Sequence, residues 1–124
     1  MAEVSEHLLR KSFDRPDQTR TYEDLRIDLL ELGELTVSRN TYRPGWRFAG
    51  SVEPWAQTPG CQTRHTFYVL SGHLRLKAAN GEELEFGPGD LGLAPPGHES
   101  WVVGDEAAEI IDFGGCMCTY GQRL

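Results

Sequence analysis

Turn signals recur along this chain at short, fairly regular intervals. Pro44-Gly45, Pro59-Gly60, Ser71-Gly72, Asn80-Gly81, Pro88-Gly89, Pro95-Pro96-Gly97, Gly104-Asp105 and Gly114-Gly115 punctuate it from Tyr22 onward. Between them lie short runs rich in β-branched, aromatic and leucine residues. Long helices have no room between such breaks, so the cadence predicts an all-β sandwich or barrel. The length of 124 residues suits one domain around one core.

Individual strands can be read from alternation. His73-Leu74-Arg75-Leu76-Lys77 and Glu82-Glu83-Leu84-Glu85-Phe86 alternate polar and apolar side chains, as half-buried strands do. Asn80-Gly81 between them predicts a hairpin with a two-residue type I′ turn. Further strands are expected over residues 35–42, 90–94, 101–103 and 109–113. Residues 25–32 are ambiguous between strand and helix, and the β-like surroundings favour strand. Residues 66–70 are apolar or aromatic at nearly every position, which predicts a strand covered on both faces. A homodimer partner would supply the outer cover; an arm from residues 1–20, carrying Leu8, Leu9 and Phe13, is the other candidate.

Charge narrows the partners. Nineteen acidic residues against twelve basic give a net charge of −7, and no Lys/Arg stripe is present. Nucleic acid is therefore a poor partner. The first residues, Met1-Ala2-Glu3-Val4-Ser5-Glu6, are acidic where a signal peptide is basic. No stretch has the length of a membrane span. Three cysteines cannot all pair within one chain, which fits a reducing compartment. Cytoplasmic location, no membrane and no nucleic acid are the expectations. No Ser-His-Asp order, nucleophile elbow or Gly-rich phosphate loop is found.

Two motifs carry a family resemblance. Tyr68-Val69-Leu70-Ser71-Gly72 followed by His73-Leu74-Arg75-Leu76 resembles the end of the first cupin motif. Phe86-Gly87-Pro88-Gly89-Asp90 followed by Pro95-Pro96-Gly97-His98 resembles the second. The resemblance covers residues 35–113, and both motifs in order make it specific. It implies an all-β double-stranded β-helix, a jelly-roll cupin barrel with a short N-terminal arm. Residues 1–20 would form the arm or a short helix and 21–124 the barrel, with one metal inside.

The ligand positions depart from the usual family pattern. The first motif usually reads His-x-His, three or four residues, then Glu, then the strand. Counting back from Tyr68, the Glu position holds His65, the second His position Cys61, and the first Pro59, which cannot bind. In the second motif, counting forward from Pro95 lands on Ser100 and counting back from Gly104-Asp105-Glu106 lands on His98. Serine is a poor ligand and imidazole a good one. The resemblance thus implies a metal held by Cys61, His65 and His98, as in a cupin subgroup with Cys-x-x-x-His, Pro-Pro-Gly-His and a Trp. On one straight strand Cys61 and His65 would stand roughly 13 Å apart, so Gln62-Thr63-Arg64 must bend.

A thiolate with two imidazoles favours Zn²⁺ among the divalent transition metals. Three protein ligands with an open position would make a catalytic-type site; a fourth ligand, Glu53 or Glu99, would make it structural. Trp46, Trp55, Trp101, Tyr42, Phe48 and Phe67 are candidates to line a pocket, with Arg47 or Arg64 anchoring a carboxylate. Tyr68 and Glu99 are candidate acid/base partners. Taken singly, each residue has a plainer reading: Cys61 as a small buried hydrophobe, His65 bonded to a backbone carbonyl, His98 in a surface turn, the aromatics as core. Cys116-Met117-Cys118 reads as free thiols, and a disulfide from either to Cys61 would abolish the site. The expected function is a small Zn-dependent enzyme acting on a small molecule, of isomerase, lyase or hydrolase type. The alternative is a non-catalytic small-molecule or metal-binding sensor module.

Overall fold

In the computed structural model, which describes residues 6–48 and 64–113, the apolar runs become nine strands among the described residues. They are β1 (Gln18–Thr21), β2 (Leu25–Leu32), β3 (Leu35–Tyr42), β4 (His65–Ser71), β5 (Leu74–Lys77), β6 (Glu83–Phe86), β7 (Leu91–Ala94), β8 (Glu99–Val102) and β9 (Ala108–Asp112). One sheet has the order β1-β2-β3-β9-β4-β7 and the other β6-β5-β8. Every pairing is antiparallel. The non-sequential neighbours β3-β9-β4 mark a jelly roll, in which chain-distant strands lie side by side.

The inward rows of the two sheets make one core. Leu25 and Ile27 of β2, Phe67 and Val69 of β4, Leu74 and Leu76 of β5, Val102 of β8, and Ala108 and Ile110 of β9 belong to it. Tyr42 and Trp46 stack obliquely with ring centroids 4.4 Å apart, and Phe67 meets Phe86 edge-on at 5.2 Å. Rings of this size dominate such a core. Their packing sets a local requirement at Gly92, which sits opposite Phe67 in the β4–β7 register. A Cβ there would run into the Phe67 ring.

Two sequence expectations need correction. The hairpin between β5 and β6 closes with a longer loop than a two-residue type I′ turn. Ala78 N–H bonds Glu82 O at 2.8 Å and Gly81 N–H bonds Ala78 O at 2.9 Å, leaving residues 79–81 as the loop. Only Gly81 needs to supply the left-handed conformation, at φ 93°, as in a three-residue hairpin with a bulge. Asn80 acts through its side chain, whose Oδ1 accepts from Glu82 N–H at 2.9 Å.

On β4, Phe67 and Val69 are buried, while Tyr68 and Leu70 are 39% and 41% exposed, so among the described residues the outer face is open to the expected cover. The second correction concerns the arm. β1 begins at Gln18 inside the segment read as arm and pairs with β2. Before it, Leu8 and Leu9 are exposed rather than packed. Phe13 does reach the sheet, lying 5.2 Å from the Arg39 guanidinium.

Candidate functional site

Strand parity brings three polar side chains into the apolar interior. Phe67 and Val69 point inward from β4, so His65, at the start of that strand, does too. Ala108 and Ile110 point inward from β9, so Asp112, at its end, does as well. Asp112 lies opposite Phe67 in the β4–β9 register, one inward position from His65. The His65 Nδ1 and Asp112 Oδ2 stand 2.8 Å apart, with the carboxylate almost fully buried.

His98 arrives from the turn after β7. Its ring closes that turn: Nδ1 lies 2.6 Å from Pro95 O. His98 is 3% exposed, and its ring meets that of His65 edge-on with centroids 5.0 Å apart. The second motif's Phe86-Gly87-Pro88-Gly89-Asp90 segment is a scaffold for this arrangement. Asp90 Oδ2 accepts from Gly87 N–H at 2.8 Å, while Gly89 N–H and Asp90 O bond the Val69 backbone of β4.

The chemistry of the partners fixes the tautomers. A carboxylate and a carbonyl only accept, so in the neutral rings both Nδ1 atoms carry the proton and both Nε2 atoms carry the lone pair. This is the state in which imidazole binds a metal, with the far N–H held by a carboxylate or backbone carbonyl. Two imidazoles sharing one tetrahedral ion stand with centroids about 5 Å apart, given metal–nitrogen distances near 2 Å. The His65–His98 centroid separation of 5.0 Å is compatible with that spacing. The Asp112 carboxylate bonds His65 instead of converging with the rings, and no group of three potential metal donors forms among the described residues. Cys61, the third expected ligand, lies outside the described residues, as do Glu53, Trp55, Cys116 and Cys118.

A pocket of about 40 Å³ opens at the two histidines. Tyr42, Trp46, Phe48 and Phe67 line it, together with Ser100 and Asp112. Among the described residues, the buried Trp46 indole N–H has no hydrogen-bond partner. A second opening reaches His98 from the side, between Leu84 and Phe86 of β6 and Leu93 and Ala94 of β7.

Other candidates fall elsewhere. Tyr68 has the opposite parity to Phe67 and faces outward, away from the pocket. Glu99 and Trp101 alternate with Ser100 and Val102, so they project from the outer face of β8, opposite Lys77 and Arg75. Arg47 stacks on Trp101 there at 5.8 Å. Arg64 is exposed, ahead of β4. These five do not line the pocket, and their parity is the reason. Asp112 is the functional residue that the sequence reading missed. Its signal was a lone carboxylate two places beyond inward-facing Ile110.

Comparison with known proteins agrees with this architecture. No curated protein matches the sequence. Among solved structures, a protein of unknown function from Rhizobium leguminosarum bv. viciae 3841 is similar with a TM-score of 0.63 at 19% identity, over 86% of this chain and 95% of that one. The polyketide cyclase RemF from Streptomyces resistomycificus is similar at 0.61 and 17% identity, over 89% and 80%. The Fe(II) form of HppE is similar at 0.59 and 11% identity, over 91% and 63%. At these identities the likeness shows the fold, a cupin jelly roll. A family model for the cupin domain matches residues 49–114. With that match, the strand order and the two motifs in place, the chain belongs to the cupin domain family.

Proposed function

We propose that this protein is a metal-binding cupin, an enzyme acting on a compact small molecule inside the barrel. Cys61, His65 and His98 would hold the ion, and the softness of a thiolate with two imidazoles favours Zn²⁺. One observation carries the reading. Both imidazoles are tied through Nδ1, to Asp112 and to Pro95 O, leaving Nε2 as the ligand atom on rings 5.0 Å apart. When bound, such an ion polarises a substrate oxygen or activates water.

The chain's own residues would do the rest. Asp112 holds the His65 ring in one orientation. Tyr42, Phe48 and Phe67 exclude water around the bound molecule. Trp46 carries a buried N–H in need of an acceptor, so it donates to an oxygen of the ligand. Isomerase, lyase or hydrolase chemistry suits this set with a redox-inert ion. The alternative reading is a non-catalytic binding or sensor module. The small pocket volume favours it, as does the engagement of Asp112 with His65, which leaves that carboxylate no separate acid/base role.

We place the protein in the cytoplasm as a homodimer. No helix among the described residues is long and apolar enough to cross a membrane. The dimer surface would be the outer face of β4 and β7, where Tyr68, Leu70, Leu91 and Leu93 are exposed beside Phe113.

Elemental analysis of purified protein tests the site. The expected result is close to one equivalent of zinc in the wild type, lost in Cys61→Ser and in His98→Ala. Equal metal content in all three proteins would overturn the ligand set. With the site established, turnover of candidate substrates separates the enzyme from the binding module.

A further inference from the structure

We propose that the outer face of β2 and β3 carries a second ligand site, a cleft that binds a small oxyanion through Arg26, Arg39 and Arg43. The cleft has a volume of about 430 Å³, and Thr21, Asp28 and Thr41 also line it. It is separate from the barrel pocket. Tyr42 faces the pocket from one side of β3, while Thr41 and Arg39 face the cleft from the other.

Asp28 organises the arginines. It is 1% exposed. Its Oδ1 accepts from Thr19 Oγ1 at 2.9 Å and from Arg26 Nε at 3.1 Å, and its Oδ2 accepts from Arg39 Nη2 at 3.2 Å. Arg26 thus engages Asp28 through Nε, and its terminal Nη groups extend beyond that contact. The Arg39 guanidinium also lies over the Phe13 ring, 5.2 Å away, and its buried Nε has no hydrogen-bond partner among the described residues. No carboxylate pairs with the Arg43 side chain among the described residues.

The balance of charge is local and specific. The lining carries three guanidinium groups and one carboxylate in a chain of net charge −7. Glu109 borders the cleft, where the Thr41 hydroxyl donates to it at 3.4 Å; counting it still leaves an excess of positive charge. A guanidinium presents paired N–H groups that match the geometry of carboxylate and phosphate oxygens. An oxyanion in the cleft would bind through the guanidinium groups of Arg26 and Arg43, and of the lining threonines Thr21 would add a neutral donor, the Thr41 proton being given to Glu109.

The test is titration of the full-length, metal-loaded protein with inorganic phosphate and with malonate, followed by amide NMR shifts. Sodium chloride at matched ionic strength is the control, because screening alone also moves shifts. Saturable shifts on β2 and β3 are expected with at least one anion, and the tighter of the two identifies the oxyanion as phosphate or carboxylate. Arg43→Gln removes a side chain that pairs with no carboxylate among the described residues, so its melting temperature is expected to match the wild type while anion affinity falls about tenfold, the worth of one charge-assisted hydrogen bond. Arg26→Gln is expected to weaken binding similarly. Shifts no larger than with chloride, shifts confined to β4 and the His98 turn, or unchanged affinity in Arg43→Gln would each overturn the proposal.

Discussion

Asp112 determines how His65 can act. Its carboxylate is buried beside the ring and accepts from Nδ1. Replacing it with Asn keeps the volume but removes the charge that raises the basicity of the ring. Asp112→Asn is expected to weaken metal binding about 10–100-fold, measured by competition with a chelator, with little change in the fold. His65 and His98 were legible in the sequence because they stand at fixed distances from recognisable turn motifs. Asp112 was not, because Glu109-Ile110-Ile111-Asp112 reads equally well as a strand ending in solvent. The distinction needs knowledge of what lies opposite, and that is a long-range pairing. Gly92 poses the same difficulty. It looks like any turn-rich glycine, yet its place opposite Phe67 leaves no room for a methyl group. Gly92→Ala is expected to destabilise the protein by about 1–3 kcal/mol through overpacking, read from urea denaturation. Pairing it with Phe67→Leu is expected to restore part of the loss.

Single strands were the most readable level. The segments expected over residues 35–42, 90–94 and 109–113 match β3, β7 and β9 closely, because alternation reports which face meets the core. Readings failed where a second element decides the outcome. The run at residues 66–70 is apolar on both faces, and among the described residues the outer one stays exposed, so its cover cannot be read from the strand alone. The hairpin turn was misjudged because Asn80-Gly81 suits two loop lengths, and the β5–β6 register selects the longer. Asp28 shows the electrostatics of paired strands. Burial pushes its carboxyl up, but hydrogen bonds from Thr19, Arg26 and Arg39 outweigh burial and hold it below its ordinary value. Asp17 is lowered too, by the Glu31 backbone N–H and by Lys11. A carboxylate with a depressed folded-state pKa stabilises fully above its unfolded value, and that contribution is lost as pH falls through the folded one. The urea midpoint is therefore expected to hold from neutral pH down to about 5 and to drop below about 4. Asp28→Asn is expected to lower the midpoint at pH 7 and flatten the acid limb in part, with Asp17 supplying the remainder.

At the scale of the molecule, the jelly roll leaves one apolar face open among the described residues. Tyr68 pairs with Leu91 and Thr66 with Leu93 across β4 and β7, and Phe113 N–H bonds Thr66 O, so the exposed residues form one contiguous patch. Patches of this kind mark association surfaces, and β7 is also the edge of its sheet. A dimer is expected by analytical ultracentrifugation, with Leu70→Glu and Leu93→Glu each shifting it to monomer and leaving metal content unchanged. A monomeric wild type would remove this surface from the account. The fold class could be read from turn spacing and two motifs, while the openings of the barrel could not, since they depend on which strands fail to meet. β6 and β7 are such strands. They end separate sheets among the described residues, and mainly apolar side chains, Leu84, Phe86, Leu93 and Ala94, close the slot between them, with Glu82 and Pro95 at its lining. Parting that seam breaks no ladder bonds, so solvent and small solutes have a side entrance to His98 at low energetic cost. A bulkier aromatic at Leu84 would act as a bolt on that entrance while leaving the front of the barrel as it is.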